Sequence, residues 1–282
     1  MKIYKIIQGI LIMSLVIILG ACTQDLPPDD DTNPDGGDGG GSSAVVDLQT
    51  GLIAYYPFTG NLQDLSGHGH NGISHSTSLI HDRFGNANQA LALAGSMTSY
   101  MEIPHNSELN LNGDFTICFW VNMNYDFMYS IQGYQVIIGK GQDISNFYGF
   151  ITDGTYVNIH SGSGGGPTGG LTSNFLLTNS KEIYQSCAEF QDLSNDWYFV
   201  ALYNNQTANK HGLYVNTEFI AEKSYFNFTA NNIYPLIIGR HFVNADGLGG
   251  YEYPFKGNFD DLRIYNRALT VAELEALYEA TE

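Results

Sequence analysis

Asn112-Gly113-Asp114 leads into Phe115-Thr-Ile-Cys-Phe-Trp-Val-Asn122, a turn followed by a run dominated by β-branched and aromatic residues. A turn signal feeding such a run predicts a strand. The same punctuation recurs outward in both directions. Ahead of it lie strand candidates at Ile53–Phe58, Leu91–Leu93 and Tyr100–Ile103. After it come Tyr134–Gly139, Tyr148–Thr152, Tyr156–His160, Trp197–Tyr203, Gly212–Val215, Leu236–Gly239 and Asp260–Tyr265, with Asp153-Gly154 read as a further turn. Many short strands with almost no helix between them predict a β-sandwich or jelly roll. The clear helix signal stands at the end of the chain. Thr270 and Glu273 form a capping box, Leu269 is placed to staple onto Leu274, and Leu274, Leu277 and Tyr278 share one helical face.

Composition agrees. The 282 residues include 19 Tyr, 16 Phe and 32 Gly, while only 14% are charged, which disfavours a helical bundle. The formal net charge of -18 would repel a phosphate backbone, so nucleic acid is excluded as a general partner. The sequence has no apolar run of roughly 20 residues, which excludes a multi-pass membrane protein.

The first residues specify an address. Lys2 and Lys5 precede an apolar segment, Ile6 to Leu19, that ends in Leu19-Gly20-Ala21-Cys22. This ending resembles the bacterial lipobox, which implies cleavage of a signal peptide, 1–21, and lipidation of Cys22. The membrane would then be reached through the lipid anchor alone. Residues 22–46 carry the acidic Asp/Gly/Pro stretch TQDLPPDDDTNPDGGDGGGSS and predict a disordered tether ahead of one domain, 47–282. The acidic run, which starts at Asp29, resembles the export signal of surface lipoproteins in Bacteroides-type bacteria. That implies an outer-membrane lipoprotein facing the cell surface. Cys118 and Cys187 leave a disulfide open, and no CxxC pair is present.

Three groups of residues carry a family resemblance. The opening runs from Gly51-Leu-Ile-Ala-Tyr-Tyr-Pro-Phe through Asp64-Leu-Ser-Gly67-His-Gly69-His-Asn-Gly72. The middle contains Phe115-Thr-Ile-Cys-Phe-Trp120-Val, Trp197-Tyr-Phe-Val-Ala201 and Leu213-Tyr-Val-Asn216. The close is Phe255-Lys-Gly257-Asn-Phe-Asp260-Asp261-Leu-Arg-Ile-Tyr265, followed by Leu269 and Glu273. In this order, over nearly all of 51–282, they resemble LamG-like domains (laminin G domain 3 type) of the concanavalin A-like lectin/glucanase superfamily. The resemblance implies an all-β, concanavalin A-like jelly-roll sandwich with a short C-terminal helix. It also implies a structural Ca²⁺ held by Asp64 and Asp260, with Asn61 and Asp261 as weaker ligands. From the residues themselves, Asp64 sits in a turn rich in oxygen donors, as a hard cation requires. Strand alternation would send Asp260 and Asp261 to opposite faces. The competing reading gives Asp64 an Asx turn to close and Asp260 buried backbone donors to satisfy.

His68-x-His70, with His75 and His81 nearby, lies in Gly- and Ser-rich sequence without the helical i, i+4 spacing of zinc hydrolases, so these residues are read as hydrogen-bonding or solvent-facing loop histidines. A glycan site has better support. Tyr156, Asn158 and His160 alternate onto one strand face, Tyr129 and Tyr134 belong to an aromatic-rich loop, and Tyr148 follows soon after. A long insertion, 161–196, adds loop sequence of the kind that carries binding function. The Glu-x-Asp-x-x-Glu strand of the glucanases is absent, as is a G-x-S-x-G elbow. The sequence therefore indicates a lipid-anchored surface protein that recognises glycan or polysaccharide without catalysis. An adhesion or scaffold module for a protein partner stays open, and so, with less support, does a glycoside hydrolase or lyase with an unrecognised site.

Overall fold

A computed structural model of the chain describes residues 46–111, 113–124, 134–143, 151–161, 169–177, 181–186, 196–224, 233–240 and 254–280, which belong to one unit, Val45–Glu282. The described strands are β1 (Leu52–Tyr56), β2 (Ile73–His75), β3 (Ser78–Ile80), β4 (Ala90–Ala94), β5 (Tyr100–Ile103), β6 (Phe115–Met123), β7 (Tyr134–Asp143) and β8 (Ile151–Ser161). They continue with β9 (Gly169–Leu177), β10 (Lys181–Ser186), β11 (Trp197–Asn205), β12 (Lys210–Val215), β13 (Glu218–Ser224), β14 (Leu236–Ile238) and β15 (Lys256–Tyr265), before one helix, α1 (Val271–Glu279). An eight-stranded sheet runs β13-β12-β11-β6-β15-β4-β3, with β1 also paired to β15. A seven-stranded sheet runs β10-β9-β8-β7-β14-β5-β2. This is the predicted antiparallel sandwich.

Strand β6 shows why it forms. Phe115, Ile117, Phe119 and Val121 point into the space between the sheets, where they meet Met101, Ile103, Ile138, Leu236 and Ile238 of the other sheet. The alternate residues Cys118 and Trp120 join Phe199, Ala201, Tyr265, Leu269, Leu274 and Leu277 in a second cluster on the outer side, beneath α1. A strand buried on both faces reads as a continuous apolar run, as this one does. Helix α1 is fixed at its start by the predicted capping box. Thr270 Oγ1 accepts from Glu273 N at 3.3 Å, while Glu273 Oε2 accepts from Thr270 N at 2.7 Å. Tyr278 then stacks on Trp120 at 5.2 Å.

Several expectations need correction. Asp153-Gly154 is not a turn but lies inside β8, where Gly154 pairs with Gly141 on one side and Leu176 on the other. The two strands predicted around it are one. The stretch read as inserted loop contributes β9 and β10, which extend the seven-stranded sheet. Cross-strand pairing supplies the order that their polar, Gly- and Ser-containing sequences do not advertise. Cys118 is buried and unoxidised, and Cys187 falls outside the described residues.

Gly257 marks a close approach between β15 and β6. A Cβ there would stand 2.4 Å from the Asn122 carbonyl oxygen and 2.5 Å from Phe255 Cζ. The oxygen belongs to the backbone of a central strand and has little room to retreat. Gly257→Ala is expected to cost about 1–3 kcal/mol in chemical denaturation, whereas Gly60→Ala, with open space around it, is expected to cost less through its backbone conformation alone.

Candidate functional site

The seven-stranded sheet presents an outer face away from the core. Tyr156, Gly139, Ile237, Glu102 and Ile73 are successive cross-strand partners through β8, β7, β14, β5 and β2. Leu236 and Ile238 flank Ile237 and lie in the core, as do Met101 and Ile103 on either side of Glu102. Alternation therefore places Ile237, Glu102 and Ile73 on the face turned away from the inter-sheet core, where Ile237 is itself buried, in register with Gly139 and Tyr156. Asn158 and His160 follow Tyr156 at two-residue steps and pair with Val136 and Tyr134. Val157, between Tyr156 and Asn158, pairs with Ile138 of the core. One strand, β8, thus carries Tyr156, Asn158 and His160 at alternate positions. Tyr129 and Tyr148 fall outside the described residues.

On the same outer face, β2 and β5 bring together a polar aromatic group. The rings of the cross-strand partners His75 and Tyr100 stack 4.1 Å apart and 6° from parallel. The Arg240 guanidinium lies 3.7 Å from the Tyr100 ring centre. His75 Nε2 stands 3.2 Å from a Glu102 carboxylate oxygen. Tyr100 is half-buried and stiffened between a flat partner and a cation. His75 is therefore a sheet residue packed on an aromatic ring, and not a loop histidine as its sequence context suggested.

The turn after β1 is organised around Asp64. Its Oδ1 accepts from Tyr55 N and Ser66 N, both at 2.9 Å. Its Oδ2 accepts from Ser66 Oγ and His70 N, also at 2.9 Å. Burial pushes this carboxyl up, but the donors from Ser66, Tyr55 and His70 outweigh it and hold Asp64 below the usual carboxylate range. Asn61 makes a smaller turn of its own, accepting from Gln63 N at 2.8 Å.

The other two expected calcium ligands face arginines. A bulge interrupts β15 between Asp260 and Arg263, with Asp261 in the left-handed region at φ +49°. The extra residue breaks the alternation that would have separated the two acids, and both face Arg83. Arg83 Nη1 donates to Asp260 Oδ2, and Arg83 Nη2 lies 3.7 Å from Asp261 Oδ2. Arg263 adds a two-pronged contact to Asp261, 2.9 and 3.4 Å. Arg83 also donates to the Ala280 carbonyl at 3.4 Å and lies 4.9 Å from the Trp120 ring centre, tying β15 to the end of α1. Asp64 and Asp261 thus offer both oxygens, and Asp260 one of its two, to protein donors, with two arginines already neutralising the Asp260–Asp261 pair. That arrangement does not fit the all-oxygen cage of a calcium ion, and no role below passes through one.

A family model of laminin G type, described as the concanavalin A-like lectin/glucanases superfamily, matches residues 94–275. The chain belongs to this superfamily. The opening turn lies ahead of the matched residues, while β6, β15 and the start of α1 lie within them. Among solved structures, the binding domain of Paraclostridial Mosquitocidal Protein 1 is similar at 20% identity and TM-score 0.62, over 82% of this chain and 52% of that one. The botulinum neurotoxin serotype G binding domain is similar at 18% and 0.60, over 80% and 50%. The serotype D ligand binding domain, solved in complex with N-acetylneuraminic acid, is similar at 16% and 0.62, over 82% and 51%. The chain spans about half the length of these structures, and at such identities they share its fold. No curated protein matches the chain.

Within this concanavalin A-like domain, the sequence singled out Tyr156, Asn158 and His160 but missed Tyr100, Arg240 and the partner of His68 and His70. Tyr100 carried a signal in its alternation with Met101 and Ile103. Arg240 and Glu108, whose carboxylate meets both His68 and His70, carried none, because each reaches its partners only through the fold.

Proposed function

We propose that this domain is a non-catalytic binding module for neutral glycan or polysaccharide, held at the outer surface of the outer membrane by lipid on Cys22. The observation that carries the ligand class is the outer face of the seven-stranded sheet. One hydrogen-bonded register aligns Tyr156 with Glu102, beside the stacked His75, Tyr100 and Arg240. A ring at Tyr156 would offer flat apolar surface to the C–H face of a sugar, while the Glu102 carboxylate and the His75 and Arg240 groups that cover Tyr100 address its hydroxyls. The complex of a fold neighbour with an acidic sugar, N-acetylneuraminic acid, supports glycan as the wider class and not its neutrality. A net charge of -18 opposes polyanionic polysaccharides, which is why neutral glycans are preferred here. The absence of the glucanase strand pattern supports binding without hydrolysis.

The test is a binding screen of the purified chain against soluble neutral and acidic polysaccharides. A reproducible neutral binder is the expected result, and binding confined to acidic polymers at low salt would contradict the ligand class. A protein partner is the second reading, favoured by exposed Phe219 on the edge strand β13. No binder across the panel would shift the assignment to that reading.

A further inference from the structure

We infer that His68, His70 and Glu108 form a binding site for a borderline divalent metal ion, Zn²⁺ in the first instance. His68 Nδ1 and His70 Nε2 lie 3.1 and 3.0 Å from the same oxygen, Glu108 Oε2. All three donor atoms fall within 4.8 Å of one another, and this is the one such group among the described residues. Zinc bonds of about 2.0–2.1 Å in a tetrahedron separate neighbouring donors by about 3.3 Å. Two of the three edges are already near that length and the third is within 4.8 Å, so a zinc ion would enter with a modest adjustment of its ligands. Two imidazoles and one carboxylate are also a donor set that suits zinc better than the all-oxygen preference of calcium.

The loop holds these ligands in place before any ion arrives. His70 is almost fully buried, with a side chain 5% exposed. Its backbone is held at both ends, N–H to Asp64 Oδ2 and carbonyl to the Tyr56 hydroxyl. Ser66 Oγ, itself bound to Asp64, accepts from His68 N at 3.3 Å. Glu108 stands in the first turn of a 3₁₀ segment, Ser107–Asn110, capped by Asn106 and anchored by buried Leu109. Asp64, in this arrangement, positions the metal loop and does not bind metal. The His68 and Glu108 side chains are 36% and 49% exposed, which leaves a coordination position open to water or to an external ligand. The acidic surface raises the local concentration of divalent cations. Two histidines on a preformed loop and a carboxylate on a capped 3₁₀ segment thus bring three ligands to one point.

The test titrates the full chain, in mild detergent, with ZnCl₂ while following stoichiometry by calorimetry and the thermal midpoint by scanning. One Zn²⁺ per chain with a rise in midpoint is expected, since an ion that binds only the folded state stabilises it. His68→Ala and Glu108→Gln, both at accessible positions, are each expected to weaken zinc binding by at least about 100-fold, beyond what loss of a supporting contact costs. His81→Ala serves as the control and should bind as the parent does. Calcium is expected to leave the midpoint unchanged. Zinc that fails to bind, or that binds equally to the His68 and Glu108 variants, would overturn the assignment.

Discussion

Arg83→Met is expected to cost about 3–5 kcal/mol of stability, the range typical of breaking a buried ionic cluster. Arg83 is 5% exposed and its partners Asp260 and Asp261 are 0% and 4% exposed, so little solvent stands ready to replace it. Methionine restores the apolar volume against Trp120 and Phe84 but removes the charge that both carboxylates share. For a domain of this size the thermal midpoint should fall by roughly 10 °C. Arg267→Ala offers the contrast. Its pair with Glu273 is also close, 2.6 Å, but more open to solvent, and its loss is expected to cost about 1 kcal/mol. Scanning calorimetry of both variants checks the ranking. A drop no larger for Arg83→Met than for Arg267→Ala would show that the bulge is held by packing and not by charge.

Asp64→Ala is the second large effect, expected at about 3 kcal/mol. One small side chain accepts from three backbone amides and a hydroxyl; the amides lose this acceptor when it goes, while Ser66 Oγ keeps the Ile53 carbonyl. Asp64→Asn keeps one acceptor oxygen and should cost less. The folded-state pKa is depressed, so the unfolded chain binds the proton more readily as pH falls. The carboxylate therefore contributes in full above the unfolded pKa of about 4, and the contribution is lost as pH drops through the lower folded value. The stability gap between the parent and Asp64→Asn should accordingly be wide near pH 6 and close in stronger acid. Urea denaturation across that range measures it, and a gap independent of pH would assign the turn's stability to geometry alone.

Parts of this molecule were legible in its residues for physical reasons that can be named. Strand β6 announces itself because both of its faces are buried, and α1 because a capping box is a local arrangement. Strands β9 and β10 were not legible, since their order comes from neighbours in the sheet. The bulge at Asp260 and Asp261 was hidden for the same reason. Alternation is the default for a strand, and only pairing with β6 shows where it is broken. His68 and His70 were visible as a pair, yet their carboxylate stands 40 and 38 residues away. The outer face was half legible. Tyr156, Asn158 and His160 follow from period two, whereas the stack of His75, Tyr100 and Arg240 joins residues from three separate segments.

Glycan recognition by that outer face is tested most directly by titrating the best neutral polysaccharide from the screen into the parent chain, Tyr156→Ala and Arg240→Ala, with thermal midpoints recorded alongside. Affinity at least about tenfold weaker in each variant, or 1.4 kcal/mol, with midpoints close to the parent's, is the expected result. Unchanged affinity in both variants would place the sugar elsewhere on the domain and contradict the assignment of this face.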